Sequence, residues 1–459
     1  MLIWLIFLFF VCFSVHSQRF ILPAFFSIVT CLPYYVRLGP ISLFAGICLF
    51  IYCYGVVSKY RIETFFVNKW IKYFLLYYVG SRVMIALLGE QTIPLSQQIS
   101  HLKGVIPLIA ICPIFYLGEK GDCKYVYKCF RILCFVVCLY GVYAYSVNSN
   151  PYLEYISQYF DDKIAYLESA NRFINEERGG LHGRLSGITF NPIQYGILLV
   201  VLGYIPLFNI IVRKQNNLGD LFVIILIFLN MFLTGSRGPL FAFFFPVLFL
   251  FLSSLPPKRR LLFLFIVGVL MVSIIYFPVL EKYAPFVKSF ILIFDSSSSE
   301  AANINGSSVE GRLGQLIATI FLINLNVKTF LFGHGYGYVA YFLENGEKNA
   351  LTGEFEGELL SSLLSYGIIG TIIIMLLSYY FCFYLVFYLY RKQQITMEAK
   401  TFLVLYIISK FLFSFLVGAA SEHLWYICFL FFCAQSIFCL LYTSPSPRAS
   451  TSSRMPSSA

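Results

Sequence analysis

The chain has 459 residues, 59% hydrophobic and only 12% charged, with a strongly positive mean hydropathy; no soluble core could hide so much apolar surface, which excludes a water-soluble globular protein. The formal charge of +11 sits in short loops between apolar runs, mostly on one side, so it reads as membrane topology and excludes a polyanion-binding face. In hydrocarbon each backbone polar group must be satisfied within its own segment, and the runs are continuous rather than alternating. The expected fold class is therefore all-α, a polytopic membrane helix bundle and not a barrel.

In chain order the apolar runs lie near Leu2 to Ser14, Phe20 to Val36, Pro40 to Val57, Tyr73 to Leu88, Val105 to Leu117 and Phe130 to Val147. They continue at Pro192 to Val212, Leu218 to Thr234, Pro239 to Leu255, Leu261 to Phe277, Leu359 to Tyr390, Phe402 to Val417 and Leu424 to Leu441. About twelve spans result, with eleven to thirteen as the range about that number. Basic residues at Lys59 to Lys72, Lys120 to Arg131, Arg213 and Lys214, Lys258 to Arg260, and Arg391 with Lys392 fall in alternate loops, which assigns those loops to the cytoplasm. The first run lacks a basic leader and a small-residue cleavage site and reads as retained. One transmembrane domain, 1–442, is expected, with long outer, water-facing loops at 148–191 and 279–358. The Ser/Pro-rich segment 443–459 cannot pack a core and reads as a disordered tail of non-native type. The cysteines form neither a disulfide framework nor a zinc spacing.

Three polar stretches carry possible chemistry. The first outer loop ends with Arg178-Gly179-Gly180 and Gly183-Arg184-Leu185-Ser186-Gly187, ahead of Asn191-Pro192. Its glycines allow close approach to a ligand, its arginines offer bidentate donors for phosphate, and Asn191 with Pro192 suits a helix start; an ordinary basic turn beside the membrane is the plainer reading. Thr234-Gly235-Ser236-Arg237-Gly238-Pro239 joins two spans so tightly that Arg237 must lie at the outer boundary, with Ser236 as a cap for the next helix. There Arg237 either meets an anion such as a diphosphate or snorkels to lipid headgroups. The second outer loop carries Arg312, a helix from Leu313 to Asn324, the Gly333-His334-Gly335-Tyr336-Gly337-Tyr338 stretch, and Glu354 to Glu358. Glu358 or Glu354 can serve as a general base, or simply complement a helix N-terminus. Tyr336, Tyr338 and His334 are candidates for sugar contact, although tyrosines at a membrane surface need no ligand. No metal-ligand set accompanies them.

Taken in order, Gly183 to Gly187 with Asn191-Pro192, then Thr234 to Gly238, then Gly311-Arg312 through Gly333-His334-Gly335 to Glu358 and Tyr366-Gly367-Ile368-Ile369-Gly370, resemble the O-antigen polymerase and ligase superfamily. Ligases of this kind carry a histidine just before the closing glycine motif. Here that place reads Glu354-Phe355-Glu356-Gly357-Glu358, so a Wzy-type polymerase is the closer likeness, with a ligase as the alternative and a lipid-linked oligosaccharide flippase as a reading of another class. The resemblance implies a metal-independent, cofactor-free, inverting glycosyltransferase of the bacterial cytoplasmic membrane, active on its outer face. Undecaprenyl-diphosphate-linked glycans would be the substrates, amid membrane lipids. A chain-length regulator and a flippase would be partners, and nucleic acid would not. Arg178, Arg184, Arg237 and Arg312 would hold the diphosphate, and Glu358 or Glu354 would take the acceptor proton.

Overall fold

Among the described residues the long apolar runs fold as helices, since backbone groups with no water to bond must pair along their own segment. The structure, a computed structural model, describes residues 37–38, 41–42, 69–90, 92–94, 98, 123–158, 183–189, 191–214, 217–254, 256–262, 265, 269, 309–335, 337–339, 342, 357–391 and 395–416. A two-residue antiparallel ladder pairs β1 (Arg37–Leu38) with β2 (Ile41–Ser42), a small exception to the all-helical expectation. The helices α1 (Lys69–Leu88), α2 (Cys123–Val147), α3 (Pro151–Ser157), α4 (Pro192–Ile211), α5 (Leu218–Leu233) and α6 (Arg237–Ser254) follow. Then come α7 (Val309–Ile323), α8 (Val327–Phe332), α9 (Glu358–Thr371), a π-helical turn (Ile372–Leu376), α10 (Leu377–Arg391) and α11 (Met397–Leu416).

The core is organised around α4. Asn191 caps it by accepting from Ile193 N at 2.8 Å, Pro192 occupies its first turn, and its length is almost wholly buried. Helices α2, α5, α6 and α11 pack around it. Tyr204 of α4 meets Phe243 of α6 and Phe402 and Tyr406 of α11 edge-on at 4.8–5.6 Å, the preferred geometry for aromatic rings. Among the described residues, three stretches are long and apolar enough to cross a membrane: Tyr127–Val147, Pro192–Ile211 and Glu358–Leu376. The protein is a membrane helix bundle.

The bundle sorts its polar groups to two ends. At one, buried Asp220 at the start of α5 accepts from Tyr127 Oη at 2.6 Å and from Asn209 Nδ2 at 2.5 Å, with Arg131 3.7 Å away. Lys214 pairs there with Glu398 at 3.4 Å, so the start of α2, the end of α4 and the start of α11 meet. The other end holds the start of α4, the tip of the α5–α6 hairpin and the start of α9.

The last long rod is interrupted. Gly367 has φ +63 and ψ −171, so the chain turns inside α9. The straight segment begins at Ile368 and runs through the π-helical turn to Arg391, about 35 Å at 1.5 Å per residue. Residues Glu358 to Tyr366 form a separate short arm. A second departure concerns the second outer loop, expected to face water. Helix α7 overlaps the expected Leu313-to-Asn324 helix and begins four residues earlier, but Leu313, Ile317, Ile320 and Phe321 are 47–70% exposed on its outer side. Its buried face carries Gln315, Thr319 and Ile323, so this part of the loop presents an apolar surface rather than a uniformly wet one.

Candidate functional site

The tip of the α5–α6 hairpin is built from helix-end chemistry. The last carbonyls of a helix have no partner within it. Leu233 O accepts from Leu185 N at 3.0 Å, and Thr234 O accepts from Arg184 Nε at 3.1 Å. Arg184 Nη2 also donates to Ser236 Oγ at 2.8 Å, so one buried guanidinium bridges both sides of Gly235. The Ser236 hydroxyl, expected to cap α6, thus holds Arg184, and it lies 3.4 Å from Thr234 O. Arg237 follows as the first residue of α6, which brings two of the predicted arginines to one tip.

The Arg184 segment is fixed from below. Asn150 Nδ2 donates to Gly187 O at 2.6 Å and to Ser186 Oγ at 3.2 Å, while its Oδ1 accepts from Tyr140 Oη at 2.7 Å and caps α3. Gly187 has φ +53, and a Cβ there would fall 2.3 Å from the Tyr195 ring, so the position admits only glycine. The Tyr195 hydroxyl lies 3.1 Å from both Val137 O and Asn230 Oδ1. The glycine-rich stretch is therefore a built-in plug for the end of α5.

Glu358 opens α9. Gly357 precedes it with φ +122 and gives no side-chain cap. The carboxylate is buried, and Lys410 Nζ of α11 sits 3.2 Å from its Oε2, also buried. The neighbouring Ser409 Oγ donates to Ala242 O of α6 at 2.5 Å. Ala242 is five residues beyond Arg237, about 7.5 Å along the helix axis, so α6 links the arginine tip to the Glu358–Lys410 pair. Sequence reasoning passed over Lys410, although a lone lysine inside an apolar run is itself a signal of function.

The third predicted stretch forms a corner that docks on the α9 arm. His334 N donates to Leu364 O and Gly335 N to Ser365 O, each at 3.0 Å, and Gly333 O accepts from Glu90 N at 3.0 Å. Gly333, with φ +73, and Gly367 lie against each other: a Cβ on either would come 2.5 Å from the other's backbone nitrogen. His334 Nε2 lies 3.1 Å from Leu322 O and Nδ1 3.3 Å from Thr92 Oγ1. The neutral ring thus carries its hydrogen on Nε2. Its ring stacks on Tyr338 at 4.1 Å and 14°, so the structure places both residues in packing. Burial pushes the His334 pKa below its ordinary value, against the opposing pull of Leu322 O and Glu90, and it pushes the Tyr338 hydroxyl up.

Arg312 lies on α7, which packs on α9. Arg178, Glu354 and Tyr336 lie outside the described residues, as does the segment 443–459. Among the described residues no group of three or more His, Cys, Asp or Glu is arranged to hold a metal.

Comparison with curated proteins gives no match. Residues 222–375 match the family model described as O-antigen ligase. The matched stretch starts in α5, takes in the Thr234-to-Arg237 turn, α7, the Gly333–Gly335 corner and Glu358, and ends in the π-helical turn; over these residues this multi-pass membrane protein is similar to the O-antigen polymerase and ligase superfamily.

Proposed function

We propose that the protein is a Wzy-type polymerase, which joins undecaprenyl-diphosphate-linked repeat units into O-antigen or a related surface polysaccharide at the outer face of the bacterial cytoplasmic membrane. The observation that carries this reading is the arrangement at one end of the bundle: Arg184 bridged across the Thr234–Ser236 turn, Arg237 beside it, and a buried carboxylate one helix away. Arg237 and Arg184, with Arg312 and Arg178, would hold the lipid diphosphate of the growing chain. Fixed positive charge there stabilises the leaving group as the anomeric carbon–oxygen bond breaks, without a metal, and each donor contributes a few kcal/mol. The acceptor hydroxyl attacks from the opposite face, inverts the anomeric carbon and gives its proton to Glu358, with Glu354 as the other candidate.

The description of the matching family as a ligase supports a second reading, in which the same donor is passed to a different acceptor. His334, held between Leu322, Thr92 and Tyr338, is poorly set to replace the histidine that ligases carry before the closing glycine motif. Deleting the gene and separating surface glycans on a gel tests the choice. A polymerase predicts loss of the ladder with a single attached repeat unit retained; loss of all attached glycan would favour a ligase or a flippase.

A further inference from the structure

Lys410 belongs to an apolar helix, beyond the stretch matched by the family model. Its ion pair with Glu358 is buried on both sides, 5% and 6% exposed. Such a pair is weak as a stabilising device, because desolvating two charges offsets their attraction and well-packed apolar side chains serve the fold as well. The setting suggests a different use. Ser409 ties α11 to Ala242 of α6, the helix that begins at Arg237, so the ammonium is registered against the element that presents an arginine to the same end. Glu358 in turn sits on the short arm before Gly367, not on the straight rod.

The elements packed against α9 carry further charged or titratable side chains: Lys69, Lys72 and Arg82 on α1, Glu310 and Arg312 on α7, Lys328 on α8, and Glu398 and Lys400 toward the far end of α11. Glu90 and His334 lie at the corner that bonds Leu364 and Ser365. Lys410 faces the carboxylate at ion-pair distance.

We propose that Lys410 is a positioning residue for glycosyl transfer: its ammonium holds the Glu358 side chain in place and in the carboxylate form, ready to take the acceptor's proton. The proposal rests on the reading of Glu358 as the base. In the step, the acceptor oxygen forms its bond to the anomeric carbon, the bond to the diphosphate oxygen breaks with its electron pair leaving on the lipid diphosphate, and the proton passes to Glu358. A buried carboxylate stripped of its cation prefers the neutral form, which cannot accept that proton.

The test uses the full chain in lipid nanodiscs, supplied with lipid-linked repeat units extracted from the deletion strain, with polymer formation measured from acid to alkaline pH. Lys410→Arg should keep the wild-type acid limb. Lys410→Met should lose most activity at neutral pH and regain it at higher pH, its acid limb displaced upward by about one pH unit or more, a tenfold or larger change in proton affinity. The exchange Glu358→Lys with Lys410→Glu should restore the melting temperature but not polymer formation. An unshifted limb in Lys410→Met, or an exchanged pair that polymerises normally, would overturn the proposal. Wild-type activity in Glu358→Gln would instead remove the base assignment, and Lys410's role with it. No polymer from the wild-type chain at any pH would sink the polymerase reading itself.

Discussion

Arg184 does structural work that its charge alone does not suggest. Its two hydrogen bonds close the end of α5 and hold Ser236 beside Arg237, so Arg184→Ala leaves the Thr234 carbonyl without that donor in a buried turn. The expected loss is on the order of 1.5–3 kcal/mol, the range for a hydrogen bond involving a charged group, read as a lower melting temperature in detergent together with loss of the glycan ladder. Arg184→Lys should recover part of the stability only, since an ammonium cannot reproduce the two-point fork. Arg237→Ala should leave insertion and melting near wild type yet abolish the ladder; an unchanged ladder would reduce this arginine to a headgroup anchor. At His334 the sign follows from burial, which lowers its pKa from the ordinary 6.5. The unfolded ring takes a proton first, so the stabilising contribution is complete above pH 6.5 and is lost as pH falls through that value toward the folded pKa. Amide exchange at His334 and Gly335 should therefore speed up below pH 6.5, after correction for intrinsic rates, and His334→Phe should remove that dependence.

At the scale of elements, the docking of the Gly333 corner on the α9 arm is the most demanding contact. Gly333→Ala or Gly367→Ala adds a methyl group within 2.5 Å of backbone, at a positive φ in each case. Each should destabilise on the order of 3 kcal/mol. Gly80→Ala, on α1 with nothing within 4 Å of the new carbon, should be neutral or stabilising by about 0.5–1 kcal/mol; melting curves of the three variants would separate these outcomes. The long helices were readable from hydropathy and caps: Asn191 and Pro192 mark the start of α4, and the Leu313-to-Asn324 expectation falls within a residue of the end of α7, which begins four residues earlier at Val309; the short helices α3 and α8, inside the expected outer loops, were not. The turn at Gly367 was not, because local sequence shows one continuous apolar run from Leu359 to Tyr390 and the break is set by a partner more than thirty residues away. The same holds for the plug formed by Arg184 and for the Glu358–Lys410 pair, whose partners meet only in the folded bundle. Tertiary contacts decide such features, and periodicity carries no trace of them.

For the molecule as a whole, the separation of charge matters more than any single pair. Asp220, Arg131, Lys214 and Glu398 gather at one end, and Arg184, Arg237 and Glu358 at the other, as a bundle crossed repeatedly by one chain requires. Lys214→Cys and Arg237→Cys, each in a cysteine-free background, should react with an impermeant thiol reagent from opposite faces of sealed vesicles; labelling of both from one face would refute the two-ended arrangement. The turn at Gly367 has its own consequence for what sets the position of Glu358. Because the chain bends there, Glu358 is not carried on one continuous rod; its arm is bonded by the Gly333 corner at Leu364 and Ser365, and its carboxylate is held from across by Lys410. The carboxylate stands on an arm seated by a pair of touching glycines, so its setting depends on the loop that rests on that arm and not on the spanning rods alone.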